Sequence, residues 1–160
     1  MPAFISDNEN VARAIFSPQM IGADGKLLLS AFALRVFKDG TKENYISVSR
    51  MIVNTWITDI KKIPQYKNRV LYGYAALNIG QIRGISIFAD NHPITYDVID
   101  CSNAETKSHA GIIAQINGNT ITGGHNPIFD TLKINEPEDF VMMAIQAELL
   151  NIATPNLVRF

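Results

Sequence analysis

Cysteine is nearly absent from this chain: Cys101 stands alone among 160 residues, so no intramolecular disulfide can staple the fold. Charge is sparse as well. Asp, Glu, Lys and Arg make up 18% of the residues and leave a net charge of -1, which argues against a general electrostatic grip on nucleic acid or an anionic membrane. The basic residues are scattered, and the one cluster, Lys61, Lys62, Lys67 and Arg69, reads as a solvated face. No apolar run approaches the ~20 residues needed to cross a bilayer. The amino terminus has no basic region followed by an apolar stretch, as a secretory signal requires. Together with the lone cysteine, these absences predict a cytoplasmic setting. Catalytic signatures are missing too: the glycines form neither a P-loop nor a dinucleotide fingerprint, and there is no Gly-x-Ser-x-Gly, His-Glu-x-x-His or Cys-x-x-Cys. No cofactor and no metal are therefore expected.

Apolar residues are what the chain has in plenty. At 47% hydrophobic and 160 residues it lies far from the disordered corner of composition and fits one domain, 1-160, with a core that needs no staple. Ser6-Asp-Asn-Glu9 has the form of a capping box and predicts a short helix carrying Val11, Ala12, Ile15 and Phe16 up to Pro18, with Arg13 off that face. Leu27 to Phe37 and Tyr45 to Ser49 read as an antiparallel pair of strands. Ile52, Val53, Trp56, Ile57 and Ile60 make a helical stripe with Trp56 central to its buried face. Arg50, a cation in the first turn of that helix, implies either a specific contact or a later helix start.

From Val70 the alternation predicts a strand to Ile79 and another through Ile85 and Ile87, with a helix over 75-83 as the competing reading. Ile94 to Ile99 is a strand, and Ala110 to Ile116 runs into Asn117-Gly118, the strongest hairpin signal in the chain. A final helix from about Glu138 to Ala153 is apolar around most of its circumference, offering Phe140, Val141, Met143, Ala144, Ala147, Leu150 and Ile152 for packing. The fold class that results is α+β, a largely antiparallel sheet with two to three packing helices, the apolar C-terminal helix among them.

Between the strands at 94-99 and 110-116 lies a polar loop holding Asp100, Cys101, Ser102, Asn103, Glu105, Lys107, Ser108 and His109. It reads either as a solvated turn or as a ligand-presenting edge. His109, Gly111 and Ile113 share a face by period-two alternation, and the missing side chain at Gly111 leaves room for a ligand or for a packing aromatic such as Trp56. His109 and His125 flank the hairpin and could face each other, whereas His92 reads as surface. Cys101 reads as a small buried hydrophobe rather than a nucleophile.

Arg13, Ser30-Ala-Phe32, Ile46-Ser-Val48, Gly73-Tyr-Ala-Ala-Leu77 and Ser108-His-Ala110 occur in an order that resembles a group of small uncharacterised bacterial proteins. The likeness covers residues 11-113. The chain departs from that group's Asp-Pro and Asn-Pro near the histidine, with Asp100-Cys and Ser102-Asn in their place. The resemblance implies a bacterial cytoplasmic setting and draws Arg13, Ser30, Ser47, Arg50 and His109 together as one candidate polar cluster.

Two functions follow as expectations. One is a binding or accessory module of a bacterial multi-gene system, acting by protein contact or self-association through the C-terminal helix or a sheet edge. The other is a small enzyme on a nucleotide or RNA, with His109 as acid and base, Arg13 or Arg50 holding a phosphate, and Ser30, Ser47 and Asp100 contacting the ligand.

Overall fold

A computed structural model describes residues 4-66, 68-121, 126-135 and 140-160. The architecture is α+β. Its strands are β1 (Asn10–Ser17), β2 (Ile46–Arg50), β3 (Val70–Asn78), β4 (Ser86–Ala89), β5 (His92–Asp100), β6 (His109–Ile116), β7 (Asn119–Ile121) and β8 (Leu157–Arg159). Helices α1 (Trp56–Lys61), α2 (Ile79–Arg83), α3 (Pro127–Thr131) and α4 (Phe140–Ala153) interleave with them. The strands form one sheet in the order β4-β5-β6-β2-β1-β3-β8, every pair antiparallel, and β7 lies against the far half of β6 beyond β2. Among the described residues no helix is long and apolar enough to cross a membrane.

The largest departure from expectation is residues 10-17, which form the central strand and not a helix. Half of the capping box is present, since Glu9 accepts from the Ser6 amide at 3.0 Å, but it closes a turn that delivers the chain into β1. Val11 through Phe16 are all buried, three residues to each face of the sheet, and a run buried on both sides has no period to read. The second departure is Leu27 to Phe37. It makes a single 3-10 turn, Leu29–Phe32, and leaves Leu28 and Leu29 exposed; only isolated bridges, Ile21 to Leu27 and Val36 to Lys42, pair it or its flanks.

The main core lies on one face of the sheet. Val11 and Ile15 of β1, Ile46 and Val48 of β2, Ala75 and Leu77 of β3, Tyr96 and Val98 of β5, and Ala110 and Ile112 of β6 meet α4 there. Helix α4 buries Val141, Met142, Ile145, Leu149 and Ala153 and exposes Met143, so of the residues expected to pack Val141, Leu150 and Ile152 do so and Met143 does not. A helix apolar all round carries no hydrophobic signal for which side faces the core. The Tyr96 hydroxyl donates to the Val141 carbonyl at 2.8 Å, fixing the helix to the sheet.

The opposite face is thinner. Ala12, Ala14, Phe16 and Ile60 form its buried apolar cluster, with Trp56 edge-on to Tyr74 at 4.8 Å beside them. Trp56 is half-buried and Ile52 is 68% exposed, so the predicted helical stripe shrinks to one short turn-and-a-half anchored by Ile60. The helix starts late because β2 runs on to Arg50, which settles in the sheet the oddity of a cation in a first turn.

The third region reads more nearly as expected. β3 stops at Asn78, whose side chain caps α2 by accepting from Gln81 N at 3.0 Å, so strand and helix readings each hold for part of 70-83. Asn117 and Gly118 both adopt positive φ in the hairpin joining β6 to β7. Helix α3, with Pro127 at its start, had not been anticipated. His125 and the Glu136 to Asp139 start of the last helix lie outside the described residues.

Candidate functional site

Strands β1 and β2 pair only at Val11 with Arg50 and Ala12 with Ser49, then part. Into this opening Arg13 sends a side chain that is only 8% exposed, donating from Nε to the Ala31 carbonyl at 2.8 Å and from Nη1 to the Ser47 carbonyl at 2.7 Å. Ala31 and Phe32 belong to the main core, whereas Ser30, Ala33, Leu34 and Arg35 on either side of them line a cavity beside Arg13. Burial lowers the Arg13 pKa to about 10, partly countered by Glu43 and reinforced by Arg69, which leaves the side chain charged at neutral pH.

That cavity, of about 440 Å³, falls in the size range of small-ligand pockets. Its floor is the sheet: Ala12, Ala14 and Phe16 of β1, Ser47 and Ser49 of β2, and His109 of β6, which stands in register with Ser49. Ile60 and Ile63 wall one side, and Arg35, Glu43 and Arg69 another. Arg69 lies over the Phe16 ring at 3.9 Å, its pKa lowered by burial and then by the charge of Arg35. Glu43 is held in place by the Arg35 amide at 3.0 Å and the Ser47 hydroxyl at 3.3 Å.

At the α1 end, Asp59 accepts from the Ser108 hydroxyl at 2.6 Å, from the Ser108 amide at 3.1 Å and from the Thr55 hydroxyl at 3.1 Å. Burial works to raise the Asp59 pKa, but these bonds and Lys62 outweigh it, and the carboxylate lies below its usual range. The polar loop is thereby tied to α1, and Lys62 Nζ adds a bond to the Glu105 carbonyl at 3.1 Å.

His109 sits between these groups, half-buried, with its ring 5.6 Å from that of Tyr45 in an edge contact. Among the described residues its ring makes no hydrogen bond. Burial lowers its pKa against the opposing pull of Glu43, Asp100 and Asp59, so the imidazole is mostly neutral at pH 7. The room beside Gly111 is taken by Tyr45, against whose ring a Cβ at 111 would collide. An aromatic fills that gap, as one of the two readings had it, but it comes from the approach to β2 and not from α1.

The structure therefore brings Arg13, Ser30, Ser47 and His109 to one cavity and leaves Arg50 and Asp100 outside its lining. Ser30 donates its hydroxyl to the Gln19 carbonyl. Arg50 points toward the core face, where it grips Glu9 through Nε to Oε1 at 3.0 Å and Nη2 to Oε1 and Oε2 at 2.9 and 3.0 Å; Asp100 is 3.9 Å from its Nη1. Glu9 and Arg50 are both buried, so this fork is spent on a structural pair. Cys101 is half-buried, its thiol raised chiefly by burial, and it makes a poor nucleophile at neutral pH.

Arg35, Glu43, Asp59 and Arg69 were not foreseen as a site. They come from a loop, a strand approach, a helix and a strand approach, at sequence separations that follow no motif. Among the described residues no cluster of His, Cys, Asp and Glu is arranged to hold a metal ion. Comparison of the chain with protein-family models, curated proteins and solved structures returned no match.

Proposed function

We propose that this chain is a small-molecule-binding domain whose ligand sits in the cavity between the sheet and α1. One observation carries the reading: one face of the sheet carries the main core with α4, while the other keeps a cavity of about 440 Å³ lined by both apolar and polar side chains. Its floor is formed by strands inside the sheet, which suits recognition on a rigid frame. The test is Ser49→Leu, which places an apolar side chain on the cavity floor. It should abolish binding of 1-naphthol or 1-naphthyl phosphate in calorimetry while leaving the melting temperature unchanged or higher. Equal binding by Ser49→Leu and the unmodified chain counts against the cavity as the site.

A second reading, contact with a protein partner, is supported by Val158 exposed on edge strand β8, Phe160 exposed just beyond it and Phe88 exposed on edge strand β4. Helix α4 is less suited to that role, because its stripe of Val141, Met142, Ile145 and Leu149 is already buried. Sedimentation velocity distinguishes the two: self-association removed by Val158→Lys would favour the edge.

A further inference from the structure

Three arginines, Arg13, Arg35 and Arg69, line the cavity against two carboxylates, Glu43 and Asp59. Asp59 is engaged at the far end by Ser108 and Thr55, so Glu43 is left as the main counter-ion at the arginine wall. Its charge acts on Arg13, Arg69 and His109, which puts it at the electrostatic centre of the group. Like-charged Arg35 and Arg69 stand close enough for one to depress the other. Such an arrangement costs free energy that an incoming anion would recover.

Resting on the cavity as a binding site, we infer that its ligand is an organic oxyanion, a phosphate ester or carboxylate on an apolar body, and that Glu43 is the built-in competitor for its acid group. The division of the walls sets the ligand's orientation. Arg69, over the Phe16 ring, and Arg35, over the Phe37 ring, offer planar forks of N–H donors, a geometry that matches two oxygens of a carboxylate or phosphate. Ala12, Ala14, Ile60 and Ile63 offer only hydrocarbon, and take the body. His109, with Ser47 and Ser49, supplies hydrogen-bonding groups along the floor between the two ends. In this arrangement the phosphate-holding part expected of Arg13 and Arg50 passes to Arg35 and Arg69. Arg13 remains a positioning residue, its Nε and Nη1 given to the Ala31 and Ser47 carbonyls.

The test is isothermal calorimetry with 1-naphthyl phosphate, 1-naphthoate, 1-naphthol and inorganic phosphate on the unmodified chain and on Arg69→Met, Arg35→Ala and Glu43→Gln. Circular dichroism confirms that each variant is folded. One or both naphthyl acids should bind at least ~10-fold more tightly than naphthol, and more tightly than inorganic phosphate, the size of preference expected from a charge-assisted bond. Naphthyl phosphate against naphthoate tells which acid is preferred. Arg69→Met or Arg35→Ala should erase the preference for acid over naphthol, and Glu43→Gln should increase it by removing the competitor while its amide oxygen still accepts from the Arg35 amide. Equal binding of acids and naphthol overturns the oxyanion inference and leaves the cavity reading standing. Binding by none of the naphthyl probes overturns both. Weaker acid binding by Glu43→Gln refutes the competitor role.

Discussion

Replacing Arg50 by methionine tests whether this arginine holds the fold or a ligand. The side chain is 9% exposed and makes three bonds within 3.0 Å to Glu9, itself 8% exposed. Methionine keeps the apolar stem but leaves the Glu9 carboxylate buried with the Ser6 amide as its remaining bond. Removing one partner of a buried pair costs about 3–5 kcal/mol, because the desolvated charge left behind is no longer compensated. For a chain of 160 residues that corresponds to a fall in melting temperature of roughly 6–20 °C. The double variant Glu9→Gln with Arg50→Met removes the stranded charge and should recover part of the loss, which a urea-denaturation double-mutant cycle would measure as a coupling above ~1 kcal/mol. Because Arg50 lies outside the cavity, folded Arg50→Met protein should bind 1-naphthyl phosphate as the unmodified chain does. A stable Arg50→Met variant that has lost this binding would refute the assignment and return Arg50 to the ligand.

Two further outcomes are expected. Gly111→Ala forces a Cβ into the Tyr45 ring and should lower stability by about 1–3 kcal/mol in urea denaturation, and adding Tyr45→Ala should relieve most of that clash; an unchanged midpoint for Gly111→Ala would show that Tyr45 does not rest there. The folded pKa of His109 lies below its unfolded value of about 6.5, so its contribution to stability is full above that pH and is lost as pH falls through the folded pKa. The ring resonances should titrate below 6.5 in NMR, and His109→Gln should flatten the acid side of the stability curve between pH 6.5 and that lower value; a ring pKa at or above 6.5 contradicts the burial seen here.

Much of the fold was legible because local chemistry decided it. Asn117-Gly118 turns back on itself since both residues tolerate positive φ, and β2, β5 and β6 follow from short β-rich runs between turn residues. The same holds for the placement of His109 and Gly111 on one face of β6, a consequence of the two-residue period of any strand. Composition alone ruled out a disulfide framework.

Tertiary structure decided the remainder. Asn10–Ser17 carries a helix-start signature, yet it becomes the central strand because burial on both faces repays strand pairing with β2 and β3 more than two turns of isolated helix could. Which stripe of α4 is buried depended on the surface it met, since an apolar circumference expresses no preference. The cavity depended most of all on the assembled fold. Arg13, Arg35, Glu43, Asp59, Arg69 and His109 are spread over nearly a hundred positions, and the parting of β1 from β2, with residues 30-35 passing beside Arg13, brings them to one cavity. A side chain's neighbours across a sheet are set by strand register and pairing, and neither is written in local sequence.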